Sequence, residues 1–153
     1  MVQTTTRKGT AVLRYPLLHP PLLQALATAG HGSRVLIADA NYSHTTHVAP
    51  DAALVHLNLR AGLVAIDDIL ATLVTAVPIE SAMTMAPDDG SVPEFWQDYE
   101  RLLGSVRPLE ALERFEFYRT CRRPDVALCI ASGDTRHYAN LLLTVGFLPQ
   151  NTE

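Results

Sequence analysis

Two polar residues flank the first strongly apolar run of the sequence, Val35 to Ala38. His31 stands between two glycines in the turn before this run, where little bulk surrounds an imidazole that exchanges protons near neutral pH. The alternative is a surface histidine with no part in chemistry. Asp39 ends the run, where it could orient a sugar hydroxyl or a histidine, or serve only as a turn or capping residue. Both positions are therefore candidates for a site.

A second group of candidates lies in the last third of the chain. Arg114 and Tyr118 are four residues apart, so on a helix they present a guanidinium and a phenol on one face. Such a pair suits a polyhydroxylated ligand, whereas the alternative is an amphipathic helix with Phe115 in the core. Tyr138 and Asn140 add a phenol and an amide, which are good hydrogen-bond partners for sugar hydroxyls.

The other motifs argue against several classes of chemistry. His44, His47 and His56 could offer imidazoles to a metal ion, but the first two lie in a Ser/Thr-rich loop and the third on a predicted strand. The sequence therefore predicts no metal site. The segment 132–134, Ser-Gly-Asp, lacks the G-x-S-x-G elbow, and there is no Walker or G-x-G-x-x-G pattern. Hydrolase, kinase and dinucleotide-dependent functions all lose support.

The elements that position these residues alternate between helix and strand. This alternation predicts a single α/β layered domain with a largely parallel sheet flanked by helices. Ligands collect at the carboxyl ends of parallel strands, so Asp39 and the loop 132–134 are both candidate site positions and are expected near each other. Helices are predicted over 20–30, 66–77, 93–104 and 109–121, and strands over 35–38, 53–59, 79–85, 126–131 and 141–145.

Composition limits the domain count and the partners. The 153 residues are 48% hydrophobic, which predicts one domain over 11–153 behind a polar, flexible arm at 1–10. A net charge of -4 lacks the basic field that nucleic acid or an anionic membrane would require. The 18% charged residues fall below the roughly 25% of typical domains, which favours a homo-oligomer. Two cysteines, no secretory leader and no membrane-length apolar run predict a cytoplasmic protein.

Several segments together resemble the RbsD/FucU family of sugar mutarotases, with the fucose mutarotase branch as the nearest. The resemblance extends over nearly the whole chain, from about 17 to 148. It is carried by PLLQAL at 21–26, GHG at 30–32, ADAN at 38–41, ERFEFY at 113–118, SGD at 132–134, YAN at 138–140 and the apolar run 141–148. The segment 93–99, PEFWQDY, and the arginine at 114 resemble the fucose branch, since a histidine is typical at 114 in the ribose branch.

This resemblance implies a function and a set of roles. His31 matches the family's proton donor, while Asp39, Arg114 and the segment from Tyr138 to Asn140 match its sugar-binding positions. Tyr118 is added from its helical spacing. The family implies a cofactor-free isomerase that interconverts α and β anomers of a monosaccharide such as L-fucose by acid–base ring opening. It also implies a ring-shaped homo-oligomer, commonly a decamer.

Two other functions stay open. A D-ribose pyranase would use the same acid–base chemistry to interconvert ring forms, and a non-catalytic monosaccharide-binding or regulatory protein would keep the pocket without turnover. Geometry adds a constraint, because eight extended residues from His31 to Asp39 span about 26 Å. Either the His31 turn folds back, or a neighbouring subunit completes the site.

Overall fold

The computed structural model describes residues 12–14, 16–106 and 108–150, so the predicted arm at 1–10 lies outside the described residues. Within these ranges, helices and strands alternate as the sequence predicts. The helices are α1 (Pro20–Thr28), α2 (Ile66–Ala76), α3 (Trp96–Leu103) and α4 (Arg114–Cys121). The strands are β1 (Arg34–Ala38), β2 (Ala53–His56), β3 (Ile79–Met85), β4 (Leu109–Leu112), β5 (Val126–Ala131) and β6 (Leu141–Val145). None of these helices is long and apolar enough to cross a membrane.

The six strands form one mixed sheet in the order β2-β5-β1-β6-β3-β4. The pairs β1–β5, β2–β5 and β3–β4 are parallel, which confirms the α/β class and the largely parallel sheet. β6 runs antiparallel to both β1 and β3. The reason is the short connection 132–140 from β5 to β6, because parallel strands need a crossover of a dozen or more residues.

The predicted helix over 109–121 is wrong in its first part. Leu109–Leu112 instead forms the edge strand β4, paired in parallel with Ala82–Met85 of β3. The helix begins only at Arg114. There the Glu113 carboxylate accepts hydrogen bonds from the backbone N–H groups of Phe115 and Glu116, at 3.0 and 3.1 Å. Pairing at the sheet edge therefore overrides a weak helical period.

The late start of α4 also decides which aromatic ring enters the core. Phe117 is fully buried, whereas Phe115 is 54% exposed, so the alternative that placed Phe115 in the core is wrong. Two other boundaries move: α3 begins at Trp96 rather than 93, and β2 ends at His56 rather than 59.

The central strand β1 separates two apolar layers. Ile37 packs in the larger layer with residues of α1, α2 and α3, and Leu36 packs in the smaller layer with Phe117 of α4. Each such buried side chain stabilises the fold by roughly 1.5–3 kcal/mol. β1 is thus held from both faces, which fixes Asp39 at its carboxyl end.

The two thiols lie in the smaller layer and are free. Burial raises the pKa of Cys121 and of Cys129 to about 12. Neither side chain therefore supplies a thiolate nucleophile at neutral pH.

Candidate active site

An open cleft of about 210 Å³ lies at the carboxyl end of β1. Five of the six predicted site residues line it, brought together from the loop after β1, from α4 and from the connection before β6. The lining residues are Asp39, Asn41, Tyr42, Met85, Arg114, Tyr118, His137, Tyr138 and Asn140. The sixth predicted residue, His31, is not among them.

Asp39 provides a buried carboxyl group at the base of the cleft. Its side chain and backbone are only 4% exposed, and its Oδ1 accepts a hydrogen bond from the Asn41 backbone N–H at 2.9 Å. Burial raises the pKa of Asp39 above its usual range, although backbone N–H groups that bond the carboxylate oppose this shift. A carboxyl group in this setting exchanges a proton more readily at mild pH than an exposed one does.

Asn140 is locked by the sheet beside Asp39. Its Oδ1 accepts a hydrogen bond from the Asp39 backbone N–H at 2.7 Å, and its carbonyl oxygen accepts one from the Thr84 hydroxyl at 3.0 Å. Because Oδ1 is occupied, the side-chain NH₂ is the group that the amide can offer to a ligand. Two residues earlier, Tyr138 has a φ of 59°, a left-handed conformation that non-glycine residues rarely adopt and that is found at ligand-binding loops.

Helix α4 carries the guanidinium and a phenol to the other wall of the cleft. Arg114 is its first residue and Tyr118 lies one turn later, which confirms that the two share a face. The Arg114 Nε is buried and has no hydrogen-bond partner among the described residues, while its Nη1 lies 3.7 Å from Asp88 Oδ2. The Tyr118 ring packs against the ring of His47, with centroids 4.5 Å apart.

Four lining residues were missed as site candidates from the sequence. Asn41 and Tyr42 follow Asp39 in one loop, and His137 precedes Tyr138, so adjacency to predicted residues is a signal that could have found all three. Met85 ends β3 and reaches the cleft only because β3 neighbours the antiparallel β6, for which the sequence offers no signal.

The loop 132–134 lies beside the Asp39 loop, as predicted, but it supports the site rather than lining it. The Ser132 hydroxyl donates to the Ala38 carbonyl oxygen at 2.6 Å, and the Asp134 carboxylate accepts from the Ile66 backbone N–H at 3.0 Å and from Arg136 at 2.7 Å. Burial works to raise the pKa of Asp134, but the hydrogen bonds from Arg136 and Ile66 outweigh it and hold the pKa below its usual value. This carboxylate is therefore committed to the fold.

Gly133 lets this loop contact the chain that leads into α2. Its N–H donates to the Val64 carbonyl at 3.0 Å, and its carbonyl accepts from the Gly62 N–H at 2.7 Å. A Cβ at this position would collide with the carbonyl oxygens of Leu63 and Arg60. Only glycine fits here without moving backbone.

His31 lies at the other end of β1, outside the cleft. Its Nε2 is 2.8 Å from Glu80 Oε2, its ring contacts that of Phe147 at 5.1 Å, and its side chain is 54% exposed. The whole of β1 separates it from Asp39. Within one chain the turn does not fold back toward the cleft.

The three loop and strand histidines do not converge on one point. His44 and His56 pack edge to face at 5.5 Å, whereas His47 packs on Tyr118 instead. In the part of the chain that the structure describes, no three His, Cys, Asp or Glu side chains are grouped to hold a metal ion.

Comparison with known proteins identifies the family and the fold of the chain. Residues 13–148 match the model of the RbsD / FucU transport protein family. The chain is 33% identical to the human fucose mutarotase, over 88% of this chain and 92% of the relative. Its structure is similar to that of Bacillus subtilis RbsD complexed with D-ribose, with a TM-score of 0.77, 28% identity and coverage of 88% and 98% of the two chains. The Streptococcus pneumoniae fucose mutarotase in complex with L-fucose gives a TM-score of 0.74 at 25% identity, covering 86% and 94%.

The α/β fold of this chain is thus shared with proteins solved with bound monosaccharides. The chain belongs to the RbsD/FucU family, as the resemblance in its sequence indicated.

Proposed function

We propose that this protein is a sugar mutarotase that interconverts the α and β anomers of a monosaccharide such as L-fucose without a cofactor. The observation that carries the proposal is the cleft, where a buried carboxyl, a fixed amide, a guanidinium and three phenols converge. These are the groups that bind sugar hydroxyls. Relatives over most of the chain are named fucose mutarotases, which makes L-fucose the first candidate substrate.

Mutarotation needs two coupled proton movements. The anomeric hydroxyl loses its proton to a water molecule while the ring oxygen gains one from an acid, so that the C–O bond opens to an aldehyde, which rotates and closes on its other face. Asp39, Arg114, Tyr118, Tyr138 and Asn140 hold the remaining hydroxyls, so that the open chain stays in the cleft. General acid–base catalysis contributes roughly 10²–10⁴-fold, which suits a reaction that already proceeds slowly in water.

His31 is the proposed proton donor to the ring oxygen. Because Nε2 contacts Glu80, the other ring nitrogen, Nδ1, is left to face a substrate. The Glu80 carboxylate stabilises the protonated ring and holds its orientation, as a carboxylate partner commonly does for a functional histidine.

The position of His31 requires a second copy of the chain. The histidine is exposed at one end of β1 and the cleft opens at the other end, so we place His31 of one copy in the cleft of the next. Exposed apolar side chains lie next to both: Phe147 contacts His31, and Phe115 contacts Tyr118. Burying such rings is typical of subunit interfaces.

A contact between two different surfaces repeats head to tail, and it forms a ring when the rotation between neighbouring copies closes. We therefore propose a ring-shaped homo-oligomer, with a decamer as the expected size, in the cytoplasm. The low fraction of charged residues and the two buried free cysteines support the assembly and the compartment, respectively.

The test is exchange NMR on the anomeric protons of L-fucose and D-ribose, with catalytic amounts of protein. Exchange between L-fucose anomers that appears only with protein supports the proposal, and His31→Ala should abolish it while sparing sugar affinity. If the protein accelerates only the exchange between pyranose and furanose forms of D-ribose, a ribose pyranase is favoured. The structural similarity to RbsD with bound D-ribose is the reason to test this second function. Saturation transfer without faster exchange would identify a binding protein.

A further inference from the structure

We propose that Asp88 is a positioning residue for Arg114 and thereby sets the affinity of the cleft for its sugar. The inference rests on the proposed function, because it concerns the guanidinium assigned to sugar binding. Asp88 itself is not among the residues that line the cleft, so it acts through Arg114.

The backbone places the two side chains opposite each other. The parallel ladder of β3 and β4 ends with Met85 beside Leu112, and the Ala86 N–H then donates to the Leu112 carbonyl at 2.7 Å. Asp88 lies two residues after Ala86, and Arg114 lies two residues after Leu112, so both follow directly on this last hydrogen bond between the two strands. Their proximity is therefore a consequence of sheet register.

The loop after β3 holds Asp88 in a tight turn. The Gly90 N–H donates to the Pro87 carbonyl at 3.1 Å, and Gly90 has a φ of 74°, a conformation in which other residues are strained. Pro87 is itself buried. The carboxylate of Asp88 is thus presented from a rigid turn.

The Arg114 guanidinium contacts the Phe115 ring and the Asp88 carboxylate, and it keeps N–H groups that can donate to a ligand. Its guanidinium carbon lies 4.8 Å from the Phe115 ring centroid, and its Nη1 lies 3.7 Å from the Asp88 carboxylate. A separation of 3.7 Å is too long for a hydrogen bond, so the contact orients the charge without occupying the N–H donors. Holding the long side chain in place before the sugar binds lowers the entropy lost on binding.

Asp89 provides a matched control. It has the same charge and the adjacent position, but its Oδ1 accepts a hydrogen bond from the Ser91 N–H at 2.9 Å within its own turn. This bond, with others to Ser91, holds the pKa of Asp89 below its usual value. Asn at either position keeps the size and the capping ability of Asp and removes only the charge.

The experiment measures KM and kcat for L-fucose by exchange NMR in the wild type and in Asp88→Asn, Asp88→Glu and Asp89→Asn. We expect Asp88→Asn to raise KM about three-fold, the range of an exposed ion pair, with kcat unchanged. Asp88→Glu should restore part of the loss, and Asp89→Asn should behave as wild type. Because about 1 M NaCl screens charges beyond about 3 Å, the KM values of wild type and Asp88→Asn should converge at high salt.

Several outcomes would overturn the inference. One is an unchanged KM in Asp88→Asn, and another is an equal effect on KM in Asp89→Asn. A third is a fall in the KM of Asp88→Asn, which would mean that Asp88 holds Arg114 away from the sugar. If the wild type binds L-fucose without exchanging its anomers, the proposed function fails, but the same variants and salt series are then compared by Kd. A wild type that neither binds nor exchanges any sugar would overturn both.

Discussion

Two variants that each lack one part of the proposed site should regain activity when they assemble together. His31→Ala removes the proposed acid and leaves the cleft of the same copy, whereas Asp39→Asn damages the cleft and leaves His31. When equal amounts of the two chains assemble at random, a site is intact only where an Asp39→Asn copy supplies His31 to a His31→Ala copy. About one quarter of the sites in such a symmetric oligomer are therefore intact.

The structure explains why both variants should fold. The His31 side chain is exposed and packs against no core residue, and an asparagine at 39 can still accept the hydrogen bond from the Asn41 N–H. His31→Ala alone should lose roughly 10²–10⁴-fold in rate, the usual contribution of an acid–base group. The mixed oligomer should then exceed the His31→Ala parent by on the order of 25-fold or more, and it should also exceed the Asp39→Asn parent if the loss of that sugar-holding carboxylate slows the rate by more than about four-fold.

The assay uses the two chains with different affinity tags, expressed together and purified through both tags, with anomer exchange of L-fucose followed by NMR. As a control, Asp39→Asn is combined with Asn140→Ala, since both changes damage the cleft and no combination of the two copies restores a site. A His31→Ala and Asp39→Asn mixture that is no more active than its parents would refute the shared site.

Three further predictions follow from single contacts. Asp39→Asn should raise Tm at pH 7 by roughly 2–4 °C, the shift for about 1 kcal/mol in a domain of this size, because position 39 then buries a neutral amide instead of an ionised carboxylate. This advantage should fade as pH falls through the raised pKa of Asp39 and vanish below its ordinary value of 3.8, as measured by thermal melts across pH. Glu80→Gln should lower kcat in the exchange assay by about 10-fold with KM unchanged, because the protonated His31 ring loses its carboxylate partner. Gly133→Ala should cost about 2 kcal/mol in urea unfolding, because its Cβ has no space, whereas Gly30→Ala, with open space around it, should stay within about 0.5 kcal/mol.

The fold could be predicted well where an element carries its own signal. β1, β3, β5 and β6 are continuous apolar or strand-like runs, and their observed bounds match the predicted ones within a residue. The segment 109–121 could not be divided correctly, because Leu109–Leu112 becomes a strand only through its pairing with β3. The antiparallel direction of β6 follows from the short connection 132–140, whereas its pairing with β1 and β3 joins distant segments of the chain.

The candidate site divides along the same line. Residue type and spacing made Asp39, Arg114, Tyr118, Tyr138 and Asn140 separate candidates, and the family resemblance joined all of them but Tyr118 into one predicted site. The contacts that hold these residues in place could not be predicted from the sequence. Gly133 is needed because the backbone at Leu63, 70 residues earlier in the chain, lies against it. The sequence around a single glycine does not indicate which distant segment it contacts.

Three locally unfavourable features lie at the cleft, where a bound ligand can offset part of their cost. A buried carboxyl with a raised pKa, a tyrosine with a φ of 59° and an arginine Nε without a hydrogen-bond partner among the described residues each oppose stability. They belong to Asp39, Tyr138 and Arg114, which come from three separate segments yet line one cavity. Asp134 is not among the residues that line the cleft, and its carboxylate finds hydrogen-bond partners within the fold in Arg136 and Ile66, whereas Asp39 and Arg114 line a cavity open to a ligand. A bound sugar, with hydroxyls that both donate and accept, has the chemistry to hydrogen-bond the Asp39 carboxyl and the Arg114 guanidinium.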